Sequence, residues 1–512
     1  MSEPSPEISP IRKWAVAVTV MTGAIVAVLD ISVVNVALPH MMGNFGVSQS
    51  EVTWVATSYS IAEIIMVTMT GWWTALLGRK RMLLLSFGVF TAGSVLCGMA
   101  GTFTQMLLFR VLQGIGGGAL IPLSQAILRE TFPREQQGTA MALYGMGVVL
   151  APAAGPVLGG WLTDGYGWSW VFYINIPVCV LGMFMVGAII EDPQYLRRGI
   201  ARIDWTGIGL LTVGLTMMQV VLERGEQQNW FESNLIIAGS VVAVAALAAL
   251  AFWELRVAHP IVNLRLLKNL PLSVGSAMGL VYGVALFGTT FILPQFTQLL
   301  LDYPAFQAGL VLLPRAIAMF LFMWIAGRLY GRIDARLQIL LGVGLMAWSY
   351  YDLSRISLNV GMWNLAPILL IMGAGMPFVF VPLSTLSISE ISRRDMTDAS
   401  SLYTLARRIG GNIGYALAST LVAHGTQLHR AQLVGHVTPL NPNFVNYYAT
   451  ATAALAHKGL SPAASGPAAH ALINGTVNQQ AALLAYNDIS LVFAVLFIAI
   501  IPLACLLPSG RR

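Results

Sequence analysis

Six ionisable side chains lie inside long apolar segments of this sequence, where a charge is energetically costly. They are Asp30, Glu63, Arg110, Arg315, Arg407 and Arg408. Even on lenient insertion scales, an ionised group in the hydrocarbon core of a bilayer is penalised by roughly 2.5 to 3.5 kcal/mol. Each of these groups therefore needs a partner, water or a functional role, and proton transfer and binding of charged ligands are the roles that such residues usually have.

Asp30 and Arg110 are predicted to lie at the same depth. Asp30 is about 24 Å into the first apolar segment, and Arg110 is about 9 Å into the fourth segment, which enters from the opposite face. Across a core of about 30 Å these depths nearly coincide, which predicts an ion pair. Such a pair would keep Asp30 ionised until a proton or a cationic substrate competes for it. The alternative is a static pair that only holds two helices together.

The remaining charges are candidates for proton transfer or for a substrate cavity. Glu63 has no charged neighbour in its own segment, which favours a role as a proton carrier or as a counter-ion for a cationic drug. Counting residues from the helix ends in the same way places Arg407 and Glu63 near the middle of the membrane, where we expect them to approach each other. Further candidates to line a cavity or to act as charge partners are Arg408, Arg315 and Asn35. No partner is predicted for Arg315, which we expect beside a water-filled cavity or an anionic substrate group.

These charges stand out because the chain is otherwise apolar. Of its 512 residues, 56% are hydrophobic and only 10% are charged, and the mean hydropathy is +0.73. A soluble domain carries about 25% charged residues. Apolar runs of about 20 residues recur from Trp14 to Leu507, as transmembrane helices require. The sequence thus predicts an all-α polytopic membrane protein and excludes soluble enzymes, nucleic-acid-binding proteins and disordered scaffolds.

Fourteen transmembrane helices are predicted, as a block of six, a pair and a second block of six. Their bounds are 14–38, 54–76, 82–101, 104–127, 138–162 and 168–190, then 204–222 and 233–253, then 271–301, 305–327, 337–354, 361–388, 401–424 and 488–507. The corresponding regions are a tail at 1–13, an N-terminal half at 14–190, an additional pair at 191–270, a C-terminal half at 271–507 and a tail at 508–512. Residues 425–486 form the only long connection, which we expect to be extramembrane and partly helical.

The orientation follows from the loops, because positively charged loops are retained in the cytoplasm. Most of the 28 lysine and arginine residues fall on the side that carries both termini. This predicts a multi-pass membrane protein with both termini cytoplasmic and 425–486 outside; the place in the cell inner membrane is implied only by the family resemblance described below.

A short basic turn recurs between the second and third helices of each six-helix block. The first copy runs from Gly71 to Arg81 and the second from Gly327 to Arg336. Similar turns at equivalent positions of the two blocks predict that the halves are duplicated. The residues expected to form a cytoplasmic gate loop are Gly71, Gly78, Arg79 and Lys80. An ordinary positive-inside loop would explain the charges but not the paired glycines.

The fifth predicted helix is unusually rich in glycine and proline. The residues of interest are Pro152, Gly155, Pro156, Gly159 and Gly160. In a membrane helix this composition indicates close packing with a kink, where a facing helix approaches the small residues. Packing alone is the simpler interpretation. No metal or cofactor site is predicted, since the seven histidines are scattered and the three cysteines show no ligand spacing.

Four stretches together resemble the fourteen-helix drug:H+ antiporter family of the major facilitator superfamily, and within it the EmrB-type multidrug exporters. They are Leu29–Pro39, Arg110–Gly114, Ala151–Gly160 and Trp168–Pro177. The resemblance implies the major facilitator fold, in which two six-helix halves are joined here by two extra helices. It also implies that Asp30 and Arg110 belong to the proton-coupling machinery and that the five residues of the fifth helix form the antiporter motif. The chain departs from the superfamily at Ala75 and Gly331, where the basic turns usually carry Asp.

The resemblance further implies a periplasmic adaptor and an outer-membrane channel as partners, for which residues 425–486 are the one large external surface. We predict a proton-driven exporter of hydrophobic or amphipathic drugs that works by alternating access, with no cofactor besides the proton gradient. The first alternative is an uptake or facilitative carrier for a small nutrient or siderophore on the same fold. A polytopic membrane enzyme is a weaker alternative, because no catalytic cluster is recognisable.

Overall fold

The computed structural model describes residues 9–192, 203–258 and 260–508, and within these ranges it consists of helices without any β-strand. The helices are α1 Pro10–Phe45, α2 Gln49–Val52, α3 Trp54–Leu77, α4 Arg79–Gly98, α5 Phe103–Gly118, α6 Leu120–Thr131, α7 Arg134–Tyr166, α8 Trp170–Tyr173, α9 Asn175–Ile189, α10 Trp205–Arg224, α11 Asn234–Glu254, α12 Leu270–Leu299, α13 Ala305–Val311, α14 Leu313–Leu329, α15 Ala335–Leu353, α16 Met362–Leu386, α17 Met396–Val434, α18 Pro442–His457, α19 Pro462–Ala499 and α20 Ile501–Leu506. Two short 3-10 helices lie at Trp230–Glu232 and Leu264–Lys268.

Each of the fourteen predicted transmembrane segments corresponds to one of these helices or to a consecutive pair. Among the described residues, eleven helical segments are long and apolar enough to cross a membrane, and a twelfth, α7, is bent by 42°. The other two segments are α15 and α17, which are less apolar. Helix α15 packs on α16 and α19, and helix α17 packs on α12 and α19. The polytopic all-α fold predicted from the sequence is confirmed.

Short polar residues and glycines set several of these helix ends. The Thr102 side chain accepts a hydrogen bond from the Gln105 amide at the start of α5, and Asp204 accepts one from Gly207 at the start of α10. Gly78 separates α3 from α4 with a φ of +85°, a conformation that residues with a side chain rarely adopt. Of the four residues predicted to form a gate loop, only Gly78 lies outside a helix, since Gly71 belongs to α3 and Arg79 and Lys80 belong to α4.

The predicted boundaries at both termini need correction. Helix α1 begins at Pro10, so the predicted tail at 1–13 includes its first turn. The helix that contains the last predicted transmembrane segment, α19, begins at Pro462, well before residue 488, and α17 continues to Val434, beyond residue 424. At 1.5 Å per residue, the 39 residues of α17 extend about 58 Å, well beyond a hydrocarbon core of about 30 Å. Polar residues ended the predicted segments too early, because hydropathy detects the membrane core and not the end of a helix.

The same helix pairings occur in both six-helix blocks. In the N-terminal half (α1–α9), α1 packs on α7, α3 on α5 and α4 on α9. In the C-terminal half (α12–α20), the equivalent pairs are α12 with α17, α14 with α16, and α15 with α19. The additional helices α10 and α11 pack on each other, and α10 also packs on α3 and α17. Helix α10 thus contacts both halves.

The two halves meet at the end of the bundle that is predicted to be cytoplasmic. Gly138 of α7 lies so close to α14 that an added Cβ would be 2.6 Å from the Cβ of Tyr330. The Arg129 guanidinium of α6 donates a hydrogen bond to the Thr385 carbonyl of α16. Ser400 of α17 donates one, 3.0 Å long, to the Pro122 carbonyl. These contacts close the interface at that end.

Candidate transport site

The structure brings Asp30 of α1 and Arg110 of α5 together inside the N-terminal half. Arg110 Nη1 lies 2.7 Å from Asp30 Oδ2, and both residues are almost completely buried. Arg110 also donates from Nε to the Val55 carbonyl at 2.9 Å. Its guanidinium lies 4.4 Å from the ring centroid of Tyr59. The pair therefore faces protein rather than lipid, as a functional pair requires, and its role in proton coupling stays a prediction.

Three uncharged polar residues complete the surroundings of this pair. Gln113 Nε2 and Asn175 Nδ2 each donate to Asp30 Oδ1 at 2.8 Å. Gln113 Oε1 accepts from Arg110 Nη1 at 2.6 Å, and Gln113 Nε2 also contacts Ser94 Oγ at 2.9 Å. Four helices, α1, α4, α5 and α9, thus supply one buried network. Charge within apolar segments does not identify Gln113, Asn175 or Ser94 as site residues, because amides and hydroxyls are uncharged.

Glu63 pairs with Arg408, whereas the sequence analysis predicts Arg407 as its partner. The Glu63 carboxylate of α3 accepts from the Arg408 guanidinium of α17. Successive side chains on an α-helix point about 100° apart, so only one of two adjacent arginines can face α3. This ion pair joins the N-terminal half to the C-terminal half.

Arg407 and Arg315 lie in the C-terminal half, and neither forms an ion pair with a described carboxylate. Arg407 is only 8% exposed, and its guanidinium lies 5.5 Å from the ring centroid of Phe380. Arg315 donates from Nη2 to Thr290 Oγ1 at 3.0 Å, while its Nη1 is buried without a partner among the described residues. Asn35, the other proposed cavity residue, is exposed.

The glycines of the fifth predicted helix bring α7 against α1. A Cβ at Gly155 would overlap Ser32, and a Cβ at Gly159 would lie 2.9 Å from the Val33 carbonyl oxygen. Ser32 Oγ donates to the Pro152 carbonyl at 3.1 Å. Gly160, by contrast, faces open space, so close packing is not its role. The Pro156 side chain lies outside the described part of the structure.

Replacing Gly155 by Ala is expected to reduce transport, because the new methyl group would push α7 away from α1. Overpacking of this kind costs about 1 to 3 kcal/mol. Gly160→Ala is the matched control on the same helix, since its methyl group meets no atom within 4 Å. Drug efflux by the two variants, normalised to the amount of protein in the membrane, measures the difference. Equal activity of the two variants would contradict a role for the close α1–α7 contact.

The basic turn is bound within the N-terminal half, and its first glycine contacts the C-terminal half. Arg79 Nη2 donates to Glu130 Oε1 at 2.6 Å, and the Lys80 amide donates to Asp192 Oδ1 at 2.8 Å. Gly71 packs directly on Asp398 of α17, whose Cα is 3.0 Å from where a Cβ on Gly71 would lie. The acidic residue beside this turn is therefore supplied by α17, more than 300 residues away in sequence. Nothing local in the sequence indicates that contact.

A carboxylate of the additional helix pair, Glu223, was also missed. It accepts hydrogen bonds from Thr57 of α3 and from Gln219 Nε2, the latter at 2.6 Å. Gln219 in turn accepts one from Asn412 of α17. A chain of hydrogen bonds thus runs from the N-terminal half through α10 to the C-terminal half. The predicted segment ended at 222, one residue before Glu223, which placed this carboxylate outside the membrane.

The chain forms two blocks of helices with the same pairings, and it holds buried charges inside one half and across the interface. This arrangement defines a membrane transporter built from two related halves. The family model described as Major Facilitator Superfamily matches residues 20–415, and this chain belongs to that superfamily. The family predicted from the sequence motifs is confirmed.

Relatives and solved structures agree with this membership. The multidrug export protein EmrB of Escherichia coli (strain K12) is 35% identical over 422 residues, 81% of each chain. The fatty acid resistance protein FarB of Neisseria gonorrhoeae is 32% identical over 500 residues, 97% of each chain. The crystal structure of the human organic anion transporter MFSD10 (TETRAN) superimposes with a TM-score of 0.65 at 13% identity, covering 97% of this chain and 100% of that one. At that identity the structural likeness establishes the fold alone.

Proposed function

We propose that this protein is a proton-driven exporter of hydrophobic or amphipathic compounds. The observation that carries the proposal is the buried Asp30–Arg110 pair, in which a carboxylate and a guanidinium are in contact inside the N-terminal half. The names of the two relatives, one a multidrug exporter and the other a fatty acid resistance protein, support amphipathic substrates. The transport mode we propose is secondary active antiport, in which no covalent chemistry takes place.

Protonation of Asp30 would remove one charge from a network that four helices share. Arg110 would then lose its counter-ion, and the hydrogen bonds from Gln113 and Asn175 would weaken because their acceptor becomes neutral. Helices α1, α5 and α9 would be freer to shift, and the two halves would rock so that the contacts closing the basic-turn end separate. Since linkage is reciprocal, a drug that binds the deprotonated state more tightly promotes proton release.

We further propose a location in the cell inner membrane with both termini in the cytoplasm. The support is the asymmetric distribution of lysine and arginine in the loops. In this orientation the outer ends of α17 and α19, together with α18, project from the external face. This helical projection is the surface that we propose for docking to a periplasmic adaptor, which would lead to an outer-membrane channel.

Purified protein in sealed vesicles provides the test. An imposed pH gradient is expected to drive a drug in the direction opposite to proton flow, and a proton ionophore should abolish that movement. Drug that moves with the protons would instead support the uptake carrier. Drug movement that is indifferent to the ionophore would support a facilitative carrier and overturn the proposal.

A further inference from the structure

The interface around Glu63 carries more positive than negative charge. Arg408 is neutralised by Glu63, but Arg407 lies on the next position of α17 without an ion pair among the described residues. Arg315 of α14 is a second such cation. Tyr282 of α12 lies against the Phe380 ring, which also faces the Arg407 guanidinium. The C-terminal half thus holds two guanidinium groups that form no ion pair among the described residues.

Unpaired hydroxyl groups lie beside this excess charge. Tyr282 and Tyr403 are each 1% exposed, and neither hydroxyl has a hydrogen-bond partner among the described residues. Tyr403 lies one helical turn before Arg407 on α17, and Tyr282 packs on the Phe380 ring that Arg407 also faces. Buried donors are normally paired, so unpaired donors gathered around an unbalanced cation indicate a missing acceptor.

An anionic group is the kind of acceptor that guanidinium and hydroxyl donors share. A carboxylate has two oxygens, which suit the forked geometry of a guanidinium and can accept further bonds from hydroxyls. Phe380 supplies an apolar wall, since its ring lies 5.5 Å from Arg407 and 6.4 Å, between centroids, from Tyr282. The neighbourhood therefore matches a ligand with a negative headgroup and an apolar body.

We propose that Arg407, Tyr282 and Tyr403 form a headgroup subsite for amphipathic monoanions, with Arg315 as a second source of positive charge. The proposal rests on the export function proposed above and specifies the charge class of its substrate. A cation placed there would meet uncompensated arginines, so the subsite discriminates against cationic compounds of the same shape.

Binding of three matched fluorescent probes tests the subsite. The probes are a dansyl fluorophore linked to a carboxylate, to a neutral amide or to a quaternary ammonium, and fluorescence anisotropy of the full-length protein in detergent gives each Kd. The carboxylate is expected to bind about tenfold more tightly than the amide, and the ammonium most weakly. Arg407→Gln should weaken carboxylate binding about tenfold and leave amide binding nearly unchanged. Arg430→Gln is the control, because Arg430 lies on the same helix but bonds to Asn474 and Asn478 in the exposed projection.

Two further variants keep the proposal testable if Arg407→Gln does not fold. Arg407→Lys should keep the order of the three probes, and the double variant Tyr282→Phe with Tyr403→Phe should lose part of the carboxylate preference. Equal affinities for the carboxylate and the ammonium in the unmodified protein would overturn the proposal. The proposal would also be overturned if the Arg407→Gln variant, shown by gel filtration to be folded, lost affinity for all three probes to the same extent.

The same probes separate this proposal from the export function. If a pH gradient drives the ammonium probe out of vesicles but the carboxylate neither binds nor moves, proton-driven export stands and the subsite is wrong. If the carboxylate preference depends on Arg407 but no probe responds to the pH gradient, the subsite stands and the export function fails.

Discussion

Replacing Asp30 by Asn is expected to reduce pH-gradient-driven efflux to the level of empty vesicles. Asn can neither take up nor release a proton, and it leaves Arg110 buried without an opposite charge. Efflux of a fluorescent drug from vesicles measures the effect, and drug resistance of cells that express the variant gives a second readout. Removal of one partner from a buried pair costs about 3 to 5 kcal/mol, so stability must be measured in parallel.

The double variant Asp30→Asn with Arg110→Gln separates coupling from folding. It removes both charges, so no unpaired guanidinium remains, and it is expected to insert and fold but to stay uncoupled. Gel filtration and thermal unfolding in detergent check the fold. Normal pH-driven efflux by either variant would mean that the Asp30–Arg110 pair is a static link between α1 and α5.

Replacing Glu63 by Gln is expected to slow transport at least about tenfold, because truncating one member of a buried charge pair costs about 2 to 5 kcal/mol. The substitution leaves Arg407 and Arg408 adjacent to each other and removes the carboxylate that pairs with Arg408 across the interface. The approach of α3 to α17 should loosen, which spectroscopic distance measurements between labels on the outer ends of these helices would detect. Initial rates of efflux in vesicles give the functional effect.

Charge reversal distinguishes a structural ion pair from a proton carrier. Glu63→Arg combined with Arg408→Glu keeps the charges but exchanges their helices, and it should recover part of the transport that Glu63→Gln loses. Glu191→Gln is the control, since the Glu191–Arg12 pair is largely exposed and should contribute at most about 1 kcal/mol. If the exchanged pair folds and binds drug but does not transport, Glu63 itself, rather than the ion pair, is required.

The six charges in apolar segments could be found from sequence because the cost of burying a charge is local. Depth along each helix also follows from residue counting, so the level shared by Asp30 and Arg110 was accessible before the structure. The choice between Arg407 and Arg408 as the partner of Glu63 was not accessible in this way. It depends on how α17 is rotated about its axis, and that rotation is set by the packing of α12 and α19 against it.

The unpredicted part of the site consists of uncharged or distant residues. Gln113 and Asn175 are uncharged, yet each donates a hydrogen bond to Asp30, and Ser94 accepts one from Gln113. Asp398 meets Gly71 only because the tertiary structure packs α17 against α3. Glu223 joins the site only because α10 lies between the two halves.

Hydropathy and residue spacing are enough to predict a bundle of membrane helices in two related blocks and to find the few residues that bear charge inside it. Both signals act over one helix at a time, so a single chain segment contains that information. Which charges pair with each other follows only from the packed bundle, because an ion pair forms between side chains on helices whose rotation and approach depend on all their neighbours.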